Sequence, residues 1–386
     1  MVDLQWVMIF VMSKLDRRSL RATCALATLG ALVPVLGCGQ LLAGAVAPLA
    51  ARSPDASSGW SPMIPAFKAP GLREVAIWSA SCAVPGSCVV TTQTGFVATW
   101  QGGRWSGVQL LPDVLDGPER PQATATTTVN GTPPFPSISC PSTKFCMLVD
   151  RHGGAWYYSG EAWSLSAAGM GVSGDAASVT AANTLLSLSC ASATFCTAVD
   201  ASGGAYTFTP TGWSAPDQVT AGNALSTVSC PVVGWCVAGG DDGYAYFGSG
   251  PKWGQGQAVN PTVPLVVSCA AKNFCAAVSQ RLLSSGAGML DGYVYARGHW
   301  SGPDPLGVGG VWGISCPAAG YCVAVGFRWA EYEERPESFI LSGSSWHPVQ
   351  AGAGNMSMNS VSCPSVSYCV ATTSWGLFIL RHKMSF

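Results

Sequence analysis

Charge is what this sequence has least of. Of 386 residues, 19 are Lys or Arg and 20 are Asp or Glu, for a net charge of −1. The repeat region holds no basic block, so the electrostatic footprint of a nucleic-acid-binding protein is missing. Histidine is scarce too: His152, His299, His347 and His382 share no spacing, which excludes a repeated histidine ligand set. There is no Gly-rich phosphate loop, no Ser nucleophile elbow and no ordered pairing of nucleophile and base. What fills the space is apolar: 48% hydrophobic residues, with 46 Gly and 15 Trp. That composition suits packed sheets joined by tight turns and argues against disorder.

One pattern organises the rest. Two cysteines with five residues between them recur seven times: Cys82 and Cys88, Cys140 and Cys146, Cys190 and Cys196, Cys230 and Cys236, Cys269 and Cys275, Cys316 and Cys322, Cys363 and Cys369. A Ser precedes the first Cys in all seven copies, and an aromatic precedes the second in six. A repeat of about 40 to 50 residues with this much strand character predicts a propeller or solenoid. Within one copy, Leu185 to Cys190 and Phe195 to Asp200 read as antiparallel strands A and B. The segment from Asp200 to Gly203 is a turn, Ala205 to Phe208 is strand C, and Trp213 to Val219 is strand D. Four antiparallel strands make one propeller blade. The seventh copy runs out before strand D, and Trp60-Ser-Pro matches the opening of strand D elsewhere. The expectation is an all-β, seven-bladed β-propeller over 60–386, its last blade closed by Trp60 to Phe67, which removes two exposed edges.

Fourteen of the sixteen cysteines lie in these hairpins, where each pair faces across strands A and B at a spacing a disulfide can bridge. Two thiolates per repeat is the metal alternative, but each hairpin lacks the further ligands a metal needs. One intrablade disulfide per blade is therefore expected, with no metal and no cofactor, in an oxidising compartment. The N-terminus agrees with export. Lys14, Arg17, Arg18 and Arg21 precede a mostly apolar, uncharged run from Ala22 to Ala51. Residues 1–51 form an export signal or anchor, with Met1 or Met12 as start, and 52–59 form a linker. Three readings stay open: cleavage after Ala47 or Ala51, lipidation of Cys38 in Val35-Leu36-Gly37-Cys38, or an uncleaved span. Membrane association is expected through this segment alone, and the propeller is expected to be a monomer.

Irregularities fall at 112–136, 167–184, 279–291 and 327–338. All are B–C or D–A connections, which emerge on one face of a propeller. The last holds six charges and three aromatics, and it supplies the candidate binding residues Arg328, Trp329, Glu331, Tyr332, Glu334 and Arg335. Aromatics bury area and charges orient a ligand, which fits a glycan or protein partner. The turns at Asp150, Asp200 and Asp241 recur at one position and read as turn chemistry, not cation sites. Trp163, Trp213, Trp253, Trp300 and Trp346 open strand D and read as packing residues between blades.

The unit Ser-Cys-x5-Cys-x-Ala-Val-Asp-x-x-Gly, followed by an aromatic strand and Trp-Ser, resembles secreted cysteine-rich β-propeller proteins of actinobacteria. These are grouped with sialidase-like propellers through turns similar to Asp-boxes. The resemblance covers about residues 60 to 380 and implies the fold and export. A sialidase carries an arginine triad and a Tyr/Glu pair. Arg73, Arg104, Arg151, Arg281 and Arg297 follow no such motif. The functional expectation is an exported, non-catalytic propeller presenting a loop-rich face to glycan or protein at the cell envelope. The alternative is a glycan-active hydrolase or lyase on the same scaffold.

Overall fold

The computed structural model describes residues 59–69, 71, 75–111, 137–150, 153–167, 184–249, 252–283, 288–330, 333–352 and 355–382. The export segment, residues 52–58 of the linker, the 112–136 connection and residues 168–183 lie outside the described residues, as do Arg73 and Arg151.

The described chain is built of strands grouped into seven blades. Blade 7 begins at the N-terminal side with β1 (Ile64–Pro65). Blade 1 is β2 (Ile77–Val84), β3 (Ser87–Thr92), β4 (Phe96–Gln101) and β5 (Arg104–Leu110). Blade 2 is β6 (Ser137–Ser142), β7 (Phe145–Val149), β8 (Ala155–Tyr158) and β9 (Trp163–Ala167). Blade 3 is β10 (Leu185–Ser192), β11 (Phe195–Asp200), β12 (Gly204–Thr209) and a fourth strand in two pieces, β13 (Gly212–Trp213) and β14 (Asp217–Gln218). Blade 4 repeats this with β15 (Leu225–Val232), β16 (Trp235–Gly240), β17 (Tyr244–Ser249), β18 (Lys252–Trp253) and β19 (Gln257–Ala258).

Blades 5 and 6 share a strand. Blade 5 is β20 (Leu265–Ala271), β21 (Phe274–Leu282), β22 (Gly288–Ala296) and the first half of β23 (His299–Ala318). Blade 6 is the second half of β23, β24 (Tyr321–Ala330), β25 (Glu333–Ser342) and β26 (Ser345–Gln350). The result is one continuous sheet of seven strands. Blade 7 is completed by β27 (Ser360–Ser365), β28 (Tyr368–Thr373) and β29 (Gly376–Arg381). The expected interruption of blades 5 and 6 between strands B and C gives way to longer strands. β21 pairs β22 from Phe274↔Ala296 to Leu282↔Gly288, and β24 pairs β25 from Tyr321↔Ser342 to Ala330↔Glu333.

The ring closes as expected. Ile64 pairs Leu377 and Pro65 pairs Gly376, antiparallel, and Trp60 bridges Leu380. The closing segment also reaches sideways. The Trp60 indole N–H donates to Ser338 Oγ of blade 6 at 2.9 Å. The Trp105 indole N–H of blade 1 donates to the Pro65 carbonyl at 2.9 Å.

The core is distributed over the seams. Seven apolar clusters occur among the described residues, and each joins two neighbouring blades. Strands B and C touch neighbours on both faces, so their centres are largely buried; β11 is buried at all six positions. The strand-D tryptophans lie at these seams. Trp213, for example, stacks on Phe208 at 5.4 Å and packs on the blade 2–3 cluster.

The A strands β2, β6, β10, β15, β20, β23 and β27 line the axis, each beside the next and β27 beside β2. A disulfide joins strands A and B of every blade, as the spacing predicts. Cys82 bonds to Cys88, Cys140 to Cys146, Cys190 to Cys196 and Cys230 to Cys236. Cys269 bonds to Cys275, Cys316 to Cys322 and Cys363 to Cys369. The bonded Cα atoms lie 3.9 to 4.1 Å apart. These cysteines sit in the walls of the blades and away from the aromatic site described below. Cys88, Cys196, Cys236, Cys275, Cys322 and Cys369 are each at most 2% exposed, so they staple and pack and offer no surface to a ligand.

The Ser before each first Cys has a distinct job. Its Oγ accepts a hydrogen bond from the Cys backbone N–H of the following blade. Ser81 accepts from Cys140, Ser139 from Cys190, Ser189 from Cys230, Ser229 from Cys269, Ser268 from Cys316 and Ser315 from Cys363. Ser362 accepts from Cys82 and completes the circle. All seven distances lie between 2.8 and 3.1 Å.

Candidate functional site

The B–C turns and D–A connections share one face, and the start of each A strand opens onto it. At that point strands β2 and β23 carry bulges. Ile77 pairs Thr92 and Ser79 pairs Thr91, so Trp78 is the extra residue. Val311 pairs Gly326 and Gly313 pairs Val325, so Trp312 is the extra residue. A bulge bends the strand and re-aims the side chain it carries. In blade 7 the same place, four residues before the first Cys, is Asn359. Its side-chain amide donates to the Ile77 carbonyl at 3.1 Å and ties blade 7 to blade 1.

These three residues line a depression of about 330 Å³ together with Trp375, Ser374, Glu334, Asn355, Met356 and Ser357. It sits where blades 6, 7 and 1 meet. Trp375 comes from the β28–β29 turn and is 50% exposed; Trp312 is 44% exposed. The D–A connection of blades 6 and 7 is pinned to the strand beside it: Glu334 N–H donates to Asn355 Oδ1, and Met356 N–H donates to the Glu334 carbonyl. From Trp312 the aromatic surface continues outward. The Phe327 ring lies 6.2 Å from Trp312, and Trp329 stands edge-on to Phe327 at 5.5 Å. Trp329 is 40% exposed.

The structure divides the six residues singled out from the sequence. Glu331 and Tyr332 lie outside the described residues. The other four stand on a hairpin arm formed by the ends of β24 and β25, where successive side chains take opposite faces. Trp329 pairs Glu334, and both share the face of Phe327. Arg328 pairs Arg335 on the other face, with Glu337. There Arg328 Nε lies 3.1 Å from the Glu337 carboxylate. Glu337 is 4% exposed, and burial raises its pKa while the Arg328 charge and hydrogen bond lower it. Burial also raises the Glu334 carboxyl. The expected single cluster is thus two: an aromatic and acidic face belonging to the depression, and an ion-paired face behind it.

Trp78, Trp312, Trp375, Asn355 and Asn359 are additions that sequence reasoning misses. Aligning the repeats on their first Cys shows where a signal lies. Four residues upstream, blades 3 and 4 carry Leu186 and Ser226, whereas blades 6, 7 and 1 carry Trp312, Asn359 and Trp78.

The Asp turns are held by their own backbone. Asp200, 1% exposed, accepts from Ser202 N–H and Oγ, from Gly204 N–H and from Tyr206 Oη. Gly203 follows at φ 86°, and a Cβ there would strike Thr220 Oγ1, so the turn requires glycine. In blade 4 this place is taken by Asp242, not Asp241. Asp242 accepts from Tyr244 N–H and Tyr246 Oη, and its carboxylate fills the space beside Gly240.

No protein-family model and no curated protein matches the sequence. Solved structures do match. "YCF48 bound to D1 peptide" aligns at TM-score 0.54 and 11% identity, over 84% of this chain and 97% of that one. YCF48 from Cyanidioschyzon merolae aligns at 0.53 and 11%, over 84% and 99%. The WD40 β-propeller domain of Doa1 aligns at 0.54 and 13%, over 85% and 98%. At such identities the likeness is one of fold. The chain is a seven-bladed, disulfide-bonded β-propeller.

Proposed function

We propose that this protein is an exported, non-catalytic propeller that presents its loop-rich face to a glycan or protein at the cell envelope. One observation carries the reading: Trp78, Trp312 and Trp375 line a depression on that face and Trp329 extends the aromatic surface through Phe327, with three of the four at least 40% exposed. Exposed aromatic clusters of this kind mark interaction sites, because leaving them in water is unfavourable. The face is carried on a scaffold stapled in every blade, which limits the ordering cost of binding. Seven disulfides support an oxidising compartment and hence export. YCF48, one of the similar propellers, is bound to a D1 peptide, which supports a polypeptide as one class of partner. Among the described lining residues Glu334 is the one carboxylate, whereas glycoside hydrolysis uses two. That favours binding over the hydrolase or lyase alternative.

The test is a glycan array and an envelope pull-down using the exported chain, with Trp312→Ala, Trp375→Ala, Trp329→Ala and Tyr332→Ala beside the wild type. Wild-type capture that the tryptophan variants lose supports the reading. Equal capture by all five proteins removes it.

A further inference from the structure

The depression at the meeting of blades 6, 7 and 1 has a one-sided chemistry. Its described lining offers three indole rings, one carboxylate, two carboxamides and two serines, and among the described residues it includes no Lys, Arg or His. Indole faces carry negative electrostatic potential and attract cations. Glu334 adds a formal negative charge at the same wall, brought to Trp78 by closure of the ring. The contrast with Glu337, on the same strand, is informative. Glu337 faces the other side of the arm and has Arg328 at 3.1 Å. Among the described residues no Lys, Arg or His pairs with Glu334.

We propose that this depression binds an organic cation, an alkylammonium or guanidinium group held between Trp78, Trp312 and Trp375 and paired with Glu334. The proposal rests on the binding reading above and names its ligand chemistry. A neutral sugar would use the indole faces and donate hydroxyls to Glu334, but it carries no positive charge for the indole potential and the carboxylate to attract. A cation gains from both features at once. Burial holds the Glu334 carboxyl up, so a positive partner restores the ionised form that burial disfavours. The size is suitable: about 330 Å³ admits a trimethylammonium group or the end of a Lys or Arg side chain. Such a cation can be free or can belong to a polypeptide, and the two are separated by experiment.

The experiment titrates the full chain by tryptophan fluorescence and isothermal calorimetry. The probes are choline, its uncharged carbon isostere dimethylbutanol, N-acetyl-lysine methylamide, N-acetyl-arginine methylamide and chitotriose. Saturable binding of at least one cation is expected, with dimethylbutanol weaker by about tenfold or more, because it lacks the charge that the indole faces and Glu334 attract. Glu334→Gln should weaken the cation about tenfold while leaving the melting temperature unchanged, and Trp375→Ala should weaken every probe. Tighter choline than amino-acid amides would mark a free quaternary ammonium as the source; the reverse would mark a polypeptide side chain. Equal binding of choline and dimethylbutanol, no effect of Glu334→Gln, or no saturable binding by any cation would overturn the proposal. Capture of glycan or protein that depends on Trp375 but not on Glu334 would leave the broader binding reading standing and remove only the cation.

Discussion

The residue that recurs without exception is the serine before the first cysteine of each blade. Its Oγ receives a backbone N–H from the next blade, so seven side chains stitch the A strands into a circle. Ser189→Ala should leave the Cys230 N–H without its acceptor and cost about 1–3 kcal/mol, read as a lower urea midpoint. Ser189→Thr, which keeps the hydroxyl, should recover part of it. A second residue-level device is the Asp200–Tyr206 pair. Burial, then the Asp200 charge, then its hydrogen bond raise the Tyr206 pKa above the ordinary value near 10. A phenol held protonated in the fold contributes stability below about pH 10 that is lost as pH rises further. Tyr246, raised by burial and Asp242, behaves alike. The Tyr206→Phe/Tyr246→Phe double variant should therefore lose less stability than wild type between about pH 9 and pH 11, measured by urea titration. The serines and Asp turns were legible because repetition fixes their place. The substitution of Asp242 for Asp241 was not, because the two carboxylates differ by one step in a tight turn. Trp78 and Trp312 were also hidden, since a bulge breaks the alternation by which a strand's outward residues are read.

At the level of elements, the arm formed by β24 and β25 is the informative case. Six charges and a proline in 12 residues read as a loop, yet the ladder continues to Ala330↔Glu333. A hairpin that leaves the blade meets water on its outer parts, so its charges report exposure and not irregular backbone. Pro336 is tolerated opposite Phe327. The Arg328–Glu337 pair stabilises the base of this arm. Arg328→Ala should leave a buried carboxylate without its cation and destabilise by about 1–2 kcal/mol at neutral pH, the figure reduced because Arg328 is half exposed. The loss should shrink at acid pH, where Glu337 takes up a proton more readily than an ordinary carboxyl because burial raises it. Adding Glu337→Gln should restore most of the midpoint. A penalty equal at both pH values and unrelieved by Glu337→Gln would show that Arg328 acts through packing alone. Within the blades, joint removal of Cys190 and Cys196 by Cys190→Ala and Cys196→Ala should cost about 2 kcal/mol, the value for closing so short a loop.

At the scale of the whole molecule, closure decides both stability and site. β1 covers the edge of β29, and Trp60 and Trp105 fasten it to blades 6 and 1. Deleting residues 59–67 should uncover that edge and shift the protein from a single species to aggregates on size exclusion with light scattering. A deletion variant that elutes and melts like the wild type would show that the strand contributes nothing to closure. Blade number, disulfide pairing and the displaced strand were legible, because each leaves a mark within one repeat or at the chain's ends. The depression was not. Trp78, Trp312, Glu334, Asn359 and Trp375 become neighbours only when blade 7 is complete, and no local pattern announces contacts between the first blade and the last.

The 20-residue strand β23 runs unbroken from the rim of blade 5 to the axis of blade 6. A turn would let two sectors swing independently; here none intervenes. A tug at the outer edge of one sector would therefore pass to the inner wall of the next, beside Trp312, along one continuous strand. Amide hydrogens along both halves should exchange at one common rate, set by joint opening of the pair, while other sectors exchange on their own clocks.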